Sequence, residues 1–295
     1  MKHISRYVKL LSIIKRRGDA GISFEEIAEQ WCSAFDEESF SKRTFHHQKG
    51  RIEEVFGVEI VCDRSTSLYR IEGGDAMRGD SVQKWLLDTF SVTNTISSCR
   101  SLQERILVDE VPSSHQWLTT ILDAMKQCLT LDMRYQSFKA DEPSDMELEP
   151  YFVKQHNNRW YLYGVVRNKN EAKLKLYALD RVQSLEIGKN GFALPNDFSA
   201  NDTLYTAFGV AIYDDVKPRL ITLKTYEKKS KYLDSLPLHH SQCKLSDDTY
   251  EIYVAPTDEL YNRILSHASD IEIVSPAEVR DEFKSRLKKV SERYV

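Results

Sequence analysis

The sequence predicts a multidomain α+β protein, on three observations. Apolar residues recur at helical spacing through residues 1–56 and 81–128, the period changes to two from Leu129 onward, and 295 residues exceed what a single core usually organises. The domains expected are helices with a β-hairpin over 1–73, a helical linker over 74–128, a small β-barrel over 129–210 and an α/β extension over 211–295.

Composition narrows the class. With 41% hydrophobic and 29% charged residues, 31 aromatics and only 11 Gly and 8 Pro, the chain can bury a real core, which excludes collagen-like, coiled-coil and disordered readings. The longest apolar run, Trp160 to Val166, is too short to span a membrane, and MKHISRYVKLL lacks the apolar core of a secretory signal, so a cytoplasmic protein without membrane contact is expected. Five widely spaced cysteines form no CxxC pair, and the eight histidines form no HExxH. No P-loop, GxGxxG or GxSxG occurs either. The expectation is therefore no metal, no cofactor and no catalytic residue. The net charge of −4 is uninformative as a total, because a polyanion feels the face presented to it.

In the first domain Ile4, Tyr7, Val8, Leu11 and Ile14 form one helical face, with Gly18 as the stop. Ser23-Phe24-Glu25-Glu26 fits a capping box, and Ile27, Ala28 and Trp31 continue the apolar face of a second helix. A third follows, with Phe45, Gln48, Ile52, Val55 and Phe56 on one side and Gly57 at its end. Residues 42–51 carry four Lys or Arg, two His and no acid, and Glu53 and Glu54 come only later. That order opposes the helix macrodipole, a cost that a nucleic-acid phosphate or base edge would offset. Two alternating segments around Asp63-Arg64-Ser65-Thr66 read as a hairpin. Three helices and a hairpin make a winged helix-turn-helix, whose third helix enters the major groove. Arg43 and His47 are then the expected base readers, Lys42 and Lys49 phosphate contacts, His46 a further contact on the same face, and Arg64 a contact from the wing. The bland alternative is a solvated charged face.

Gly73-Gly74-Asp75 and Gly79 mark a boundary. Helical periodicity over 81–90, about 98–108 and 114–129 predicts linker helices, with a cap at Ser113-Ser114 and with Trp85, Leu86 and Phe90 as core. From Leu129 the segments LTLDMRYQSF, MELEPYFVKQHNNRWYLYGVV and KLKLYALDRVQSLEI alternate with period two around polar turns at 141–144, 157–158 and 168–170, which predicts four or five antiparallel strands. In the WYLY stretch one alternate pair must face the core, and Asp180 with Arg181 offers an ion pair that could close the barrel.

Arg159-Trp160-Tyr161-Leu162-Tyr163-Gly164, followed by Tyr177-Ala178-Leu179-Asp180-Arg181-Val182 and preceded by Pro150, resembles the signature of the WYL domain, an Sm-like or SH3-like barrel of bacterial regulators. Residues 220–225, 237–242, 250–254 and 264–276 are similar to the WCX extension that follows many such barrels, and a final helix over 276–293 carries Val279, Phe283, Leu287 and Val290 on its apolar stripe. The resemblance implies a barrel that senses a nucleotide or nucleic acid and so alters DNA binding, in a homodimer. Matched onto this chain it implies ligand contacts at Tyr135, Lys154, His156, Trp160, Tyr161, Lys175 and Arg181. Aromatic faces suit bases, and Arg and Lys suit phosphate. Lys175 stands where the family often has Arg, and lacks that residue's bidentate fork.

The function expected is a ligand-responsive transcriptional regulator that binds double-stranded DNA. The alternative is a nucleic-acid-sensing module that binds single strands mainly through the barrel, with the winged helix structural.

Overall fold

The computed structural model describes residues 2–72, 82–98, 105–106, 114–167 and 173–294. The expected glycine boundary at 73–79, the cap residue Ser113, the turn at 168–170 and nearly all of the second linker helix lie outside them. The chain is an α+β protein and divides into two compact units, Met1–Asp109 and Glu110–Val295.

In the first unit helices α1 (Lys2–Lys15), α2 (Phe24–Phe35) and α3 (Lys42–Phe56) precede a hairpin of β1 (Glu59–Asp63) and β2 (Leu68–Glu72). The capping box at Ser23 forms in both directions: its side chain accepts from the Glu26 amide, and the Glu26 carboxylate accepts from the Ser23 amide. Trp31, Phe40, Phe45 and Tyr69 fill the core with Leu10, Ile14, Ile27, Ile52 and Ile60. Phe45 meets Tyr69 edge-on at 4.7 Å, which seats α3 on the hairpin. The hairpin turn lies one residue later than the sequence suggests. Asp63 closes it, its carboxylate accepting from the Ser65 amide at 2.8 Å and the Ser65 hydroxyl at 2.6 Å.

Helix α4 (Val82–Ser98) runs further than the periodicity indicates and packs on α1, where Lys15 pairs with Asp88 at 2.7 Å. Trp85 and Leu86, expected in a core, are 41% and 37% exposed.

In the second unit α5 (Leu118–Gln127) packs against a five-stranded antiparallel sheet of order β6-β5-β4-β3-β7. The strands are β3 (Leu129–Tyr135), β4 (Ser144–His156), β5 (Arg159–Val166), β6 (Leu174–Ala178) and β7 (Val182–Gly191). Helix α5 was expected in the linker, yet its Ile121 and Ala124 are fully buried with Leu131, Leu148, Leu162 and Leu179, so it is a wall of this core. Ser114 provides no side-chain cap; it adopts a left-handed conformation, and a short 3₁₀ turn at His115–Trp117 leads into α5. The bulge between Pro150 and Phe152 bends β4, so this long strand can curl around the core.

After the short helix α6 (Ala200–Leu204), a four-stranded antiparallel sheet of order β11-β8-β10-β9 follows, from β8 (Arg219–Thr225), β9 (Cys243–Lys244), β10 (Thr249–Val254) and β11 (Ile271–Ser275). Helices α7 (Lys229–Ser235), α8 (Asp258–Leu265) and α9 (Ala277–Ser291) cover one face, burying Leu233, Leu260, Ile264, Val279 and Phe283 against Ile221, Leu223, Ile252 and Ile273. Only the first half of the α9 stripe is buried: Val279 and Phe283 lie in the core, while Leu287 is 37% exposed. Among the described residues no helix is long and apolar enough to cross a membrane.

Candidate nucleic-acid and ligand sites

Two cationic regions emerge, one in each unit. On α3 the cap is Ser41, whose hydroxyl accepts from the Thr44 amide, and the first turn has no acid. Phe45, Gln48, Ile52 and Phe56 face inward, which turns Lys42, Arg43, His46, His47 and Gly50 outward together. Arg43 and His47 are exposed and have no side-chain partner among the described residues. Lys42 lies 5.3 Å from the Phe24 ring, and His46 sits beside Phe45. Lys49 differs: it pairs with Glu53 at 2.9 Å, and Glu53 also accepts from the Ile60 amide of the hairpin. Lys49 therefore braces α3 against β1 and offers less of its charge to a phosphate than expected. Arg64 is exposed at the hairpin turn. Gly50 was not foreseen; a Cβ there would meet nothing within 4 Å, so no intramolecular crowding demands glycine in this helix.

On the five-stranded sheet the register settles the alternation. Lys154 lies opposite Tyr161 and His156 opposite Arg159, so these four residues share one face with Phe152 and Tyr163. Trp160 and Leu162 turn to the other face, into the core. Tyr135 also packs there, 8% exposed and edge-on to Tyr177 at 5.1 Å. Lys175 is exposed opposite Gly164 and shares the Tyr177 side of β6, away from Lys154. Of the seven expected ligand contacts, the fold thus groups Lys154, His156 and Tyr161, with Arg181 adjoining.

Asp180 does not pair with Arg181. Its carboxylate faces Arg159 at 3.8 Å, while the Arg181 guanidinium stacks over Phe138 at 3.7 Å. Phe138 is 78% exposed on the loop after β3, and sequence offered no signal for it, since only chain folding brings that loop to the LDR segment. Asp180 Oδ1 and Arg181 Nε are buried without a hydrogen-bond partner among the described residues. Each such group costs about 1–3 kcal/mol when left unsatisfied, so water or another polar group is needed to complete this corner.

Burial sets the electrostatics of this face. It lowers the Lys154 pKa, against the pull of Glu259, and lowers that of His156, with Lys154 adding to the effect. Burial raises the Tyr161 hydroxyl. Beyond Lys154, His239 is depressed to about 4 by burial first and by His240 second, the two rings lying 3.9 Å apart. Its Nδ1 accepts from the Ser241 amide at 3.2 Å, as suits a neutral imidazole. A groove of about 490 Å³ elsewhere on the sheet is lined by Asp132, Asp145, Glu147 and Glu186, carboxylates that would repel an anionic ligand.

Comparison with known families assigns both halves of the second unit. A WYL domain matches residues 116–187, taking in α5, strands β3 to β6 and the first part of β7. The chain contains a WYL domain. A WCX domain follows it over residues 217–291. No curated protein matches the sequence. Among solved structures, proteasome accessory factor B/C (PafBC) of Arthrobacter aurescens is similar at 18% identity and a TM-score of 0.34, over 97% of this chain and 46% of that one. The chain thus spans less than half of that protein's length. A CRISPR Cas-related protein is similar at 13% identity and a TM-score of 0.42, over 99% of this chain and 85% of that one. Both structural likenesses are loose, and the WYL and WCX assignments rest on the family matches.

Proposed function

We propose that this protein is a DNA-binding transcriptional regulator, acting by binding rather than catalysis, whose WYL domain senses a nucleotide or single-stranded nucleic acid and thereby changes how an N-terminal winged helix-turn-helix holds duplex DNA. The carrying observation is the outward face of α3, where Arg43 and His47 are exposed and unpaired at the helix N-terminal half. Cations there oppose the macrodipole unless an anion answers them. Gly50 on the same face adds support: an exposed helical glycine costs about 1 kcal/mol against alanine, and it lets another backbone approach closely.

The sensing half of the reading is supported by the orphaned Asp180 and Arg181 atoms beside Phe138 and Tyr161, a set that offers ring faces to bases and a guanidinium to phosphate. Homodimer formation is supported by Val82, Trp85, Leu86 and Val92, which leave an exposed apolar stripe along α4.

The test is capture and sequencing of genomic DNA fragments by the purified protein at physiological salt, beside an Arg43→Ala/His47→Ala variant. The expected result is a recurrent, near-palindromic motif that the variant fails to enrich. Equal enrichment by both proteins would overturn the assignment of α3. The alternative, a single-strand binder acting through the barrel, draws on the Arg181–Phe138 stack, and single-strand affinity that survives the α3 substitutions while no duplex motif appears would establish it.

A further inference from the structure

The segment between the WYL and WCX domains is held from both sides by side chains that neither the sequence nor the family resemblance assigns to that task. From the WYL sheet, the Lys154 ammonium donates to the Gly209 carbonyl at 2.6 Å, and the buried Tyr163 hydroxyl donates to the Val210 carbonyl at 2.6 Å. From α8, one carboxylate oxygen of Glu259 accepts from both the Val210 amide at 2.9 Å and the Ala211 amide at 2.8 Å. The Ala255 amide adds a bond to the Thr206 carbonyl at 2.8 Å.

The backbone is shaped for this clasp. Gly209 has φ of +81°, and a Cβ there would come within 2.6 Å of the Glu259 carboxyl carbon, so the carboxylate closes over the peptide only because this residue is glycine. Lys154 is itself half-buried on the strand face that carries His156, opposite Tyr161. A ligand seated against His156 and Tyr161 therefore lies next to the ammonium that fastens the connector. A carbonyl is a neutral acceptor and a phosphate oxygen a charged one, so moving from the first to the second adds an ion–ion attraction to the ammonium's hydrogen bond.

We propose that Lys154, Gly209 and Glu259 form a latch between the WYL and WCX domains, and that a phosphate-bearing ligand opens it by drawing the Lys154 ammonium away from the Gly209 carbonyl. The inference rests on the sensor reading above and adds to it the route by which the barrel reports to the C-terminal domain. Nothing covalent changes: one hydrogen bond is exchanged for another, and the Val210 and Ala211 amides, held by Glu259, loosen with the released peptide. Lys154 is a positioning residue in the resting protein and a ligand contact in the bound one.

Hydrogen exchange of the Val210 and Ala211 amides in the full chain reads the latch directly. It would be measured alone, with adenosine monophosphate and with a short single-stranded oligodeoxynucleotide, for the unsubstituted protein and for Lys154→Met, Lys154→Arg and Glu259→Gln. Either probe should speed exchange at these two amides by about tenfold, the scale of losing one hydrogen bond to a charged group. The probe that does so identifies the source of the phosphate. Lys154→Met should exchange fast without ligand and respond no further, Lys154→Arg should behave as the native chain, and Glu259→Gln should exchange faster while still binding the probe. Binding of a probe, followed by tryptophan fluorescence, with no change at the two amides would overturn the latch while leaving the sensor intact. Slow exchange in Lys154→Met would overturn it as well. Failure of both probes to bind would instead remove the sensor reading and ligand-driven opening with it, and the substitutions would still report whether Lys154 fastens the connector.

Discussion

The outer face of α3 and the β4–β5 face of the WYL domain are both cationic, yet they differ in what already occupies their charges. On α3, Arg43 and His47 reach solvent with no partner among the described residues, while Lys49 and Arg51 are tied to Glu53 and Glu54. On the WYL face, Lys154 donates to a peptide carbonyl, Arg159 faces Asp180, and Arg181 stacks on Phe138. A surface of the first kind can meet a polyanion without rearranging, so it suits standing affinity for DNA. One of the second kind must exchange an internal contact for an external one, so binding there changes the protein. Under the function proposed above, the first is the effector surface and the second the sensor.

The largest effect that would break this comparison concerns DNA. Replacing Arg43 and His47 by alanine should lower duplex affinity by about a hundredfold or more, at about 1–3 kcal/mol per base-reading side chain, and flatten its salt dependence. Arg181→Ala should leave ligand-free duplex affinity unchanged. Fluorescence anisotropy at several salt concentrations checks both, and equal losses in the two variants would erase the distinction.

Next in size is Gly209→Ala, which should destabilise the second unit by about 2–4 kcal/mol, since the left-handed backbone conformation costs about 1–2 kcal/mol for a residue with a Cβ and the new methyl displaces Glu259. Urea unfolding measures it. A change under about half a kcal/mol would mean that the connector shifts freely.

The smallest effect sharpens the comparison through pH. His239 has its pKa depressed to about 4 from 6.5, so the unfolded chain binds the proton more tightly. Its contribution is complete above about pH 6.5 and is lost as the pH falls toward 4. Because the ring is only partly shielded from solvent, a loss on the order of 1–2 kcal/mol is expected, and His239→Gln should abolish that part of the pH dependence. Unfolding midpoints at about pH 7 and about pH 4.5 for the two proteins give the answer.

Much of the architecture follows from local rules that a sequence displays. The capping box at Ser23, the glycine stop at Gly57, the apolar face of α3 and the alternation that sends Leu162 inward all depend on neighbours within a few residues. The WYL and WCX domains are legible because their signatures are short segments recurring in a fixed order along the chain.

What tertiary structure alone decided are the partnerships between distant segments. Helix periodicity could not say that Ile121 and Ala124 of α5 belong to the barrel core, because an apolar stripe does not name the surface that covers it. Nor could adjacency of Asp180 and Arg181 reveal that they part, one toward Arg159 and the other toward Phe138, since successive side chains leave the backbone in different directions. Lys154 is the clearest case. As a residue type it suits phosphate, and the strand pattern places it beside His156 and Tyr161, but its present partner is the carbonyl of Gly209, 55 residues away along the chain. Sequence determined which groups carry charge and which faces they occupy. Folding decided which of those charges are already held, because a hydrogen bond depends on distance in space and not on distance along the chain.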